Sequence, residues 1–189
     1  SNEELTQSTF ESGSIDASWT DSTGNNTAPS IVSNANNGYV PSLKLINDGN
    51  DDDPNITATV TLSTSSRYKL TVKVSYASDP DGVGDTVGLN LTARPTASSV
   101  DGIYQSTVVA ETGGTYTLEF IPLDVGGGGG STEAMLIDVG LEENTNDDTE
   151  IHFSEISVRE IDNSTLPTDL YKIETMFLQK HPSTDYHKM

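Results

Sequence analysis

Two carboxylates placed far apart in a 189-residue chain have the clearest capacity for chemistry. Glu11 stands in Phe10-Glu11-Ser12-Gly13, and Glu155 in Ile151-His152-Phe153-Ser154-Glu155-Ile156-Ser157-Val158. The second stretch alternates apolar and polar residues at period two, as a half-buried strand does. If the first and last strands of a sandwich lie side by side, Glu11 and Glu155 meet at one edge and want a cation. Calcium, which takes about six to eight oxygen ligands, suits them, with Asp48 as a further donor. By binding only the folded state, the ion would stabilise the body. The competing reading is a pair of solvated edge carboxylates.

A second kind of chemistry is sugar recognition, which needs aromatic faces and polar groups for hydroxyls. Tyr39, Tyr76 and Tyr104 fall at strand ends or near loops, and Arg94 and Gln105 supply polar groups. Read more plainly, the tyrosines are ordinary half-buried strand residues. Catalysis has little support. The histidines, His152, His181 and His187, form no spacing that suggests a Ser–His–acid arrangement, and among 29 acids no pair stands out. The run Gly126 to Gly130 lacks the Lys and Ser/Thr of a phosphate-binding loop. Asp48-Gly49-Asn50-Asp51-Asp52-Asp53 begins like an EF-hand loop, but Asp53 and Thr59 stand where Gly and Glu are required. We therefore expect no enzyme.

These residues need a scaffold, and the composition indicates a β-protein. Apolar residues make up 33% of the chain, and it contains no cysteine, so disulfides and thiolate chemistry are excluded. Strand-like runs open with Leu5 to Phe10 and Ile15 to Thr20. They continue through Ser30 to Ser33, Tyr39 to Ile46, Ile56 to Leu62, Tyr68 to Tyr76, Val87 to Ala93, Tyr104 to Ala110, Thr115 to Ile121, Ala134 to Leu141 and Glu150 to Ile161. About ten short strands joined by polar turns argue an all-β antiparallel sandwich. Residues 1–163 form this body. Residues 164–189 form a linker and a short helix over Thr168 to Lys180, with Leu170, Ile173 and Phe177 on one face. A helix this short must dock, on its own body or on a partner.

Charge is unevenly placed. Residues 1–163 hold 26 acids and six Lys or Arg, which accounts for the whole net charge of −20, while residues 164–189 are neutral. Such a field repels nucleic acid and anionic membranes and attracts divalent cations. No apolar run approaches the roughly 18 residues of a membrane span. Starting at Ser1, the sequence is expected to be a mature or trimmed form, which leaves export open. Asn-x-Ser/Thr sequons at Asn25, Asn55, Asn90 and Asn163 matter only in a glycosylating host.

In order and spacing, Phe10-Glu11-x-Gly13, Trp19, Ser42 to Leu45, Tyr68 to Val72, Tyr116 to Phe120, Ile137 to Gly140 and Phe153 to Val158 carry a family pattern. Over roughly residues 5–161 the chain resembles jelly-roll carbohydrate-binding modules of the family four, nine, sixteen and twenty-two type. The resemblance implies a structural calcium held by Glu11 and by an acid on the last strand, where Ser154-Glu155 replaces the usual Asp pair. It implies a core role for Trp19. It also implies a noncatalytic module that binds a polysaccharide or surface glycan within an extracellular or cell-surface assembly. Similar modules decorate phage capsids and tails, so the alternative is a virion structural subunit anchored to its neighbours through residues 164–189.

Overall fold

The computed structural model describes residues 2–24, 26–48, 54–80, 86–96, 103–110, 112–125, 130–141 and 148–161. The expected helix with Leu170, Ile173 and Phe177 lies outside them, as does most of the glycine run. Ten strands are present: β1 (Trp19–Asp21), β2 (Ser30–Val32), β3 (Ser42–Asn47), β4 (Asn55–Ser63), β5 (Arg67–Ser78), β6 (Thr86–Pro95), β7 (Ile103–Ala110), β8 (Gly114–Phe120), β9 (Thr132–Leu141) and β10 (Thr149–Ile161). They form two five-stranded sheets, β1-β4-β9-β6-β7 and β2-β3-β10-β5-β8, paired antiparallel throughout. No helix occurs among the described residues.

Alternation of apolar and polar residues makes each strand two-faced, and the apolar faces meet between the sheets. Ile56, Ala58, Val60 and Leu62 of β4, Leu89 and Leu91 of β6 and Ile137 and Val139 of β9 share one core with Leu70, Val72 and Val74 of β5. Phe10 and Phe153 are among the largest fully buried side chains. Trp19 is buried as expected, with its indole N–H donating to the Gln7 carbonyl at 3.0 Å.

Two opening strands are shorter than the sequence predicts. Leu5 to Phe10 makes only single bridges, Glu3 to Arg159 and Thr9 to Glu155, and Ile15 to Thr20 contributes only the start of β1. The bridges still place the N-terminal segment beside β10. It takes over where β3 stops, with the Glu4 amide donating to the Val158 carbonyl and the Ile156 amide to the Ser8 carbonyl, both at 2.9 Å.

The body's cations are sorted by face. Lys44, Arg67, Lys69, Lys73 and Arg159 pair with Glu150, Glu119, Glu119, Glu155 and Glu3 at 2.5, 2.6, 3.5, 2.5 and 3.2 Å. All five belong to the β2-β3-β10-β5-β8 sheet, where Lys69 and Lys73 alternate with core residues of β5. Exposed pairs of this kind add little stability. Their effect is to leave Arg94, on β6, as the body cation without a direct ion pair among the described residues.

Gly113 is held at a φ of 77°, and an added Cβ would lie 2.2 Å from the Val74 carbonyl oxygen. Gly113→Ala is therefore expected to destabilise the body by about 2 kcal/mol or more, from backbone strain plus the clash. Urea titration of the two proteins measures the difference.

Candidate functional site

Register across the β1-β4-β9-β6-β7 sheet assembles a polar row on the face turned away from the core. Thr20 pairs with Thr57, Thr57 with Asp138, and Asp138 with Thr92. Three strand spacings make the row about 14 Å long. On one side run Asn55, Gly140 and Asn90, and on the other Thr59, Leu136 and Arg94. The intervening residues Ile56, Ala58, Ile137, Val139, Leu89, Leu91 and Ala93 are the core residues of the same strands, which fixes the row on the opposite face.

Beyond Thr20, which is exposed, the row is sunk into its surroundings. Thr57 is buried although it faces away from the core, and Thr92, Asn90, Arg94 and Asp138 are half-buried. Loss of water pushes the Asp138 carboxyl up to about 6, an effect the positive charge of Arg94 partly offsets. At Gly140 a Cβ would lie 2.5 Å from Asn55 Cβ and 2.6 Å from the Pro54 carbonyl oxygen, so only glycine fits between Asn55 and Asn90. The face therefore offers hydroxyls, a carboxyl, amides and a guanidinium at strand spacing, a donor and acceptor set suited to a hydroxyl-rich ligand.

Of the five residues expected to contact a ligand, Arg94 and Tyr104 belong to strands of this sheet, Tyr104 opposite Thr92 in the backbone register. Gln105 is opposite Leu91, one step along β7. A one-residue step reverses the face, so Gln105 sits on the core side. Tyr76 lies in the other sheet opposite His152, with ring centroids 5.0 Å apart. Tyr39 is 71% exposed in the turn between β2 and β3 at a φ of 62°, held by its amide donating to the Asn34 carbonyl at 2.7 Å. The five do not line one groove. Asp138, Thr57, Thr92 and Asn90 were missed; the available signal was a lone acid at an outward position in the apolar run Met135 to Leu141.

The metal set does not converge either. Thr9 pairs with Glu155, so the first segment and last strand are neighbours as anticipated. Glu11 is exposed in the turn beyond, and the Glu155 carboxylate contacts Lys73 Nζ at 2.5 Å. Lys73 holds Glu155 below the usual carboxylate range. Asp48 follows Asn47, which pairs with Thr149, six residues along β10 from Glu155 and so about 20 Å away. It accepts a hydrogen bond from Thr27 Oγ1 at 2.7 Å. Among the described residues no group of three or more metal-ligating side chains occurs. The residues named for calcium do not fit it as a set.

Three residues before Glu155 on β10, His152 is fully buried on the outer side of its sheet, and among the described residues neither ring nitrogen has a hydrogen-bond partner. Its Nε2 lies 3.5 Å from Glu150 Oε1. His152 and Lys44 together hold the Glu150 carboxyl down to about 2. The Lys44 contact, at 2.5 Å, is the firmer of the two. Tyr76 packs against this cluster and is part of its packing.

Two outcomes test this geometry. Because the folded pKa of Asp138 is raised from 3.8 to about 6, its ionisation opposes folding. The penalty is absent below about pH 4, grows as pH rises through about 6, and levels at about 2–3 kcal/mol above that. Asp138→Asn is expected to melt higher than the parent at pH 7.5 and at the same temperature at pH 3.5. For the metal, melting with calcium and then with excess EDTA is expected to give one midpoint; a large fall on chelation would show that Glu11 and Glu155 rearrange around an ion.

No protein-family model and no curated protein sequence matches this chain. Solved structures do match its fold. The tandem family 22 carbohydrate-binding modules of Paenibacillus barcinonensis Xyn10C align with a TM-score of 0.56 at 14% identity, over 85% of this chain and 46% of that one. A family 4 carbohydrate-binding module aligns at 0.50 and 9% identity, over 76% of this chain and 95% of that one. The enzymatically active domain of bacteriophage CBA120 tailspike protein 4 aligns at 0.57 and 14%, over 84% and 21%. The chain spans about a quarter of the length of the arabinofuranosidase, xylanase and tailspike chains it matches. The fold is the jelly-roll β-sandwich found in carbohydrate-binding modules.

Proposed function

We propose that this protein is a noncatalytic module that binds a polysaccharide or surface glycan across the outer face of the β1-β4-β9-β6-β7 sheet. The observation that carries the reading is the row Thr20, Thr57, Asp138 and Thr92, sunk at its last three members, with Arg94 one row away. A carboxylate costs free energy where it is half-desolvated, and a solvated surface would offer it full hydration. Hydroxyl donors of a sugar return the lost hydrogen bonds, while Arg94, without a direct ion pair among the described residues, donates to ring or hydroxyl oxygens. The jelly-roll fold supports this reading as a scaffold that hosts glycan binding elsewhere, and the site residues give it content for this chain.

Binding rather than turnover fits the same face. Glycoside cleavage requires two carboxyl groups flanking the bond. Asp138 is the one acid of the three rows. The module would work within a larger extracellular or surface assembly, including a virion. Among the described residues no helix is long and apolar enough to cross a membrane.

Affinity electrophoresis against a panel of soluble neutral and acidic polysaccharides tests the proposal. At least one is expected to retard the protein. For that glycan, Arg94→Ala and Asp138→Ala should each weaken binding about tenfold or more, the loss of a hydrogen bond to a charged group. Tyr76→Phe, on the other sheet, should bind as the parent does. Equal affinity of all four proteins would refute this face as the site.

A further inference from the structure

An edge strand presents unpaired N–H and C=O groups, and proteins blunt such edges with short strands, charges, proline or bulges. Three of the four outermost strands here are blunted. β1 and β2 are three residues long, and β8 carries Glu119, which bridges to Arg67 and Lys69. β7 is the exception. It runs eight residues, Ile103-Tyr104-Gln105-Ser106-Thr107-Val108-Val109-Ala110, without charge, proline or glycine. Its register with β6 is unbroken, and among the described residues it pairs with no other strand. Val108 is 58% exposed, while Val109 beside it is fully buried.

Charge selects the occupant of this edge. The chain carries −20, so an unlike partner drawn by that field is basic and meets the acids of the molecule. A partner bearing the same −20 approaches best where charge is absent. From 103 to 123 the chain has no Lys or Arg and two acids: Glu119, held by its two bridges, and Glu111, just past β7. Asp101 lies two residues before the strand. Between Asp101 and Glu111 the edge is uncharged over about 27 Å of strand. An antiparallel pair of identical strands is self-complementary about a twofold axis, so a second copy fits it.

We propose that two copies of this chain pair antiparallel through β7, joining their β1-β4-β9-β6-β7 sheets into one sheet of ten strands. The twofold axis stands normal to the sheet, so both outer faces remain on one side. Five strand spacings, about 24 Å, then separate Asp138 of one copy from that of the other. Where that face binds glycan as proposed above, the pair engages one polysaccharide at two points and gains avidity. The pairing itself does not rest on that reading.

Sedimentation equilibrium of the full chain tests the pairing with no glycan present. A reversible dimer is expected, at least tenfold tighter in about 1 M salt than in about 0.05 M, because salt screens the repulsion between the two acidic bodies. Val108→Glu, which adds an acid to the pairing edge, should weaken the dimer at least tenfold. Val40→Glu, equally exposed to solvent in the turn before β3, should leave it unchanged. A chain monomeric at both salt concentrations would overturn the proposal, as would equal weakening by the two variants. The chain has no native cysteine, so spin labels on Val108→Cys and on Thr20→Cys locate the contact. Labels at 108 are expected within about 30 Å of each other and labels at 20, on the far edge, beyond about 40 Å; the reverse order refutes β7. Should Val108→Glu fail to fold, amide exchange on the parent decides. Alternate amides of β7 gaining protection as protein concentration rises support the pairing, and protection confined to other segments refutes it.

Discussion

Everything in this sandwich depends on how β10 keeps four large apolar side chains in one core. Ile151 and Phe153 point inward, and so do Ile156 and Val158, yet an unbroken alternation cannot satisfy both pairs. The pairing with β5 is irregular between His152 and Glu155, where Ser154 of β10 and Ser75 of β5 are each passed over, so the phase is reset on both strands. Ser154 Oγ donates to the Lys73 carbonyl and Ser75 Oγ to the His152 carbonyl, each at 3.3 Å, so the bulge is supported from β5. The same reset turns Glu155 outward beside Lys73, and β3 stops there and cedes the edge to the N-terminal segment.

The same register decides what stands beside the carboxylate named for calcium. Residue type and chain order placed Glu11 and Glu155 near each other, and topology does bring their segments together. What decides the chemistry is a third residue, Lys73, set directly opposite Glu155 by the register. An ammonium at 2.5 Å already satisfies the carboxylate charge that a cation would have answered. Cross-strand neighbours come from a distant part of the sequence, so no local motif announces them.

Most of the fold was legible for the same reason that much of the site was not. Long strands with clean alternation, such as Tyr68 to Val74 and Ala134 to Leu141, show their period in the sequence and appear within a few residues of the expected bounds. Short elements did not: Leu5 to Phe10 has the composition of a strand, but β10 offers it only two bridges. Which outward residues share a face depends on sheet order and register. Arg94, named by type, lies on the outer face, whereas Gln105, equally suitable by type, fell on the core side. Asp138 became visible only when Thr57 and Thr92 were found on either side of it.

The two outer faces show two ways of placing charge on a strongly acidic protein. On the β10 sheet, glutamates sit beside lysines and arginines, and two of them, Glu150 and Glu155, titrate below their ordinary range. On the β9 sheet, one aspartate sits half-buried with an arginine near but not bound, and titrates above it. The first arrangement lowers the free energy of the folded protein and leaves little for a ligand to improve. The second raises it, and serine or threonine at position 138 would avoid the cost. A residue that works against folding, placed midway along a polar row on an outer sheet face, is the feature on which the proposed binding reading rests.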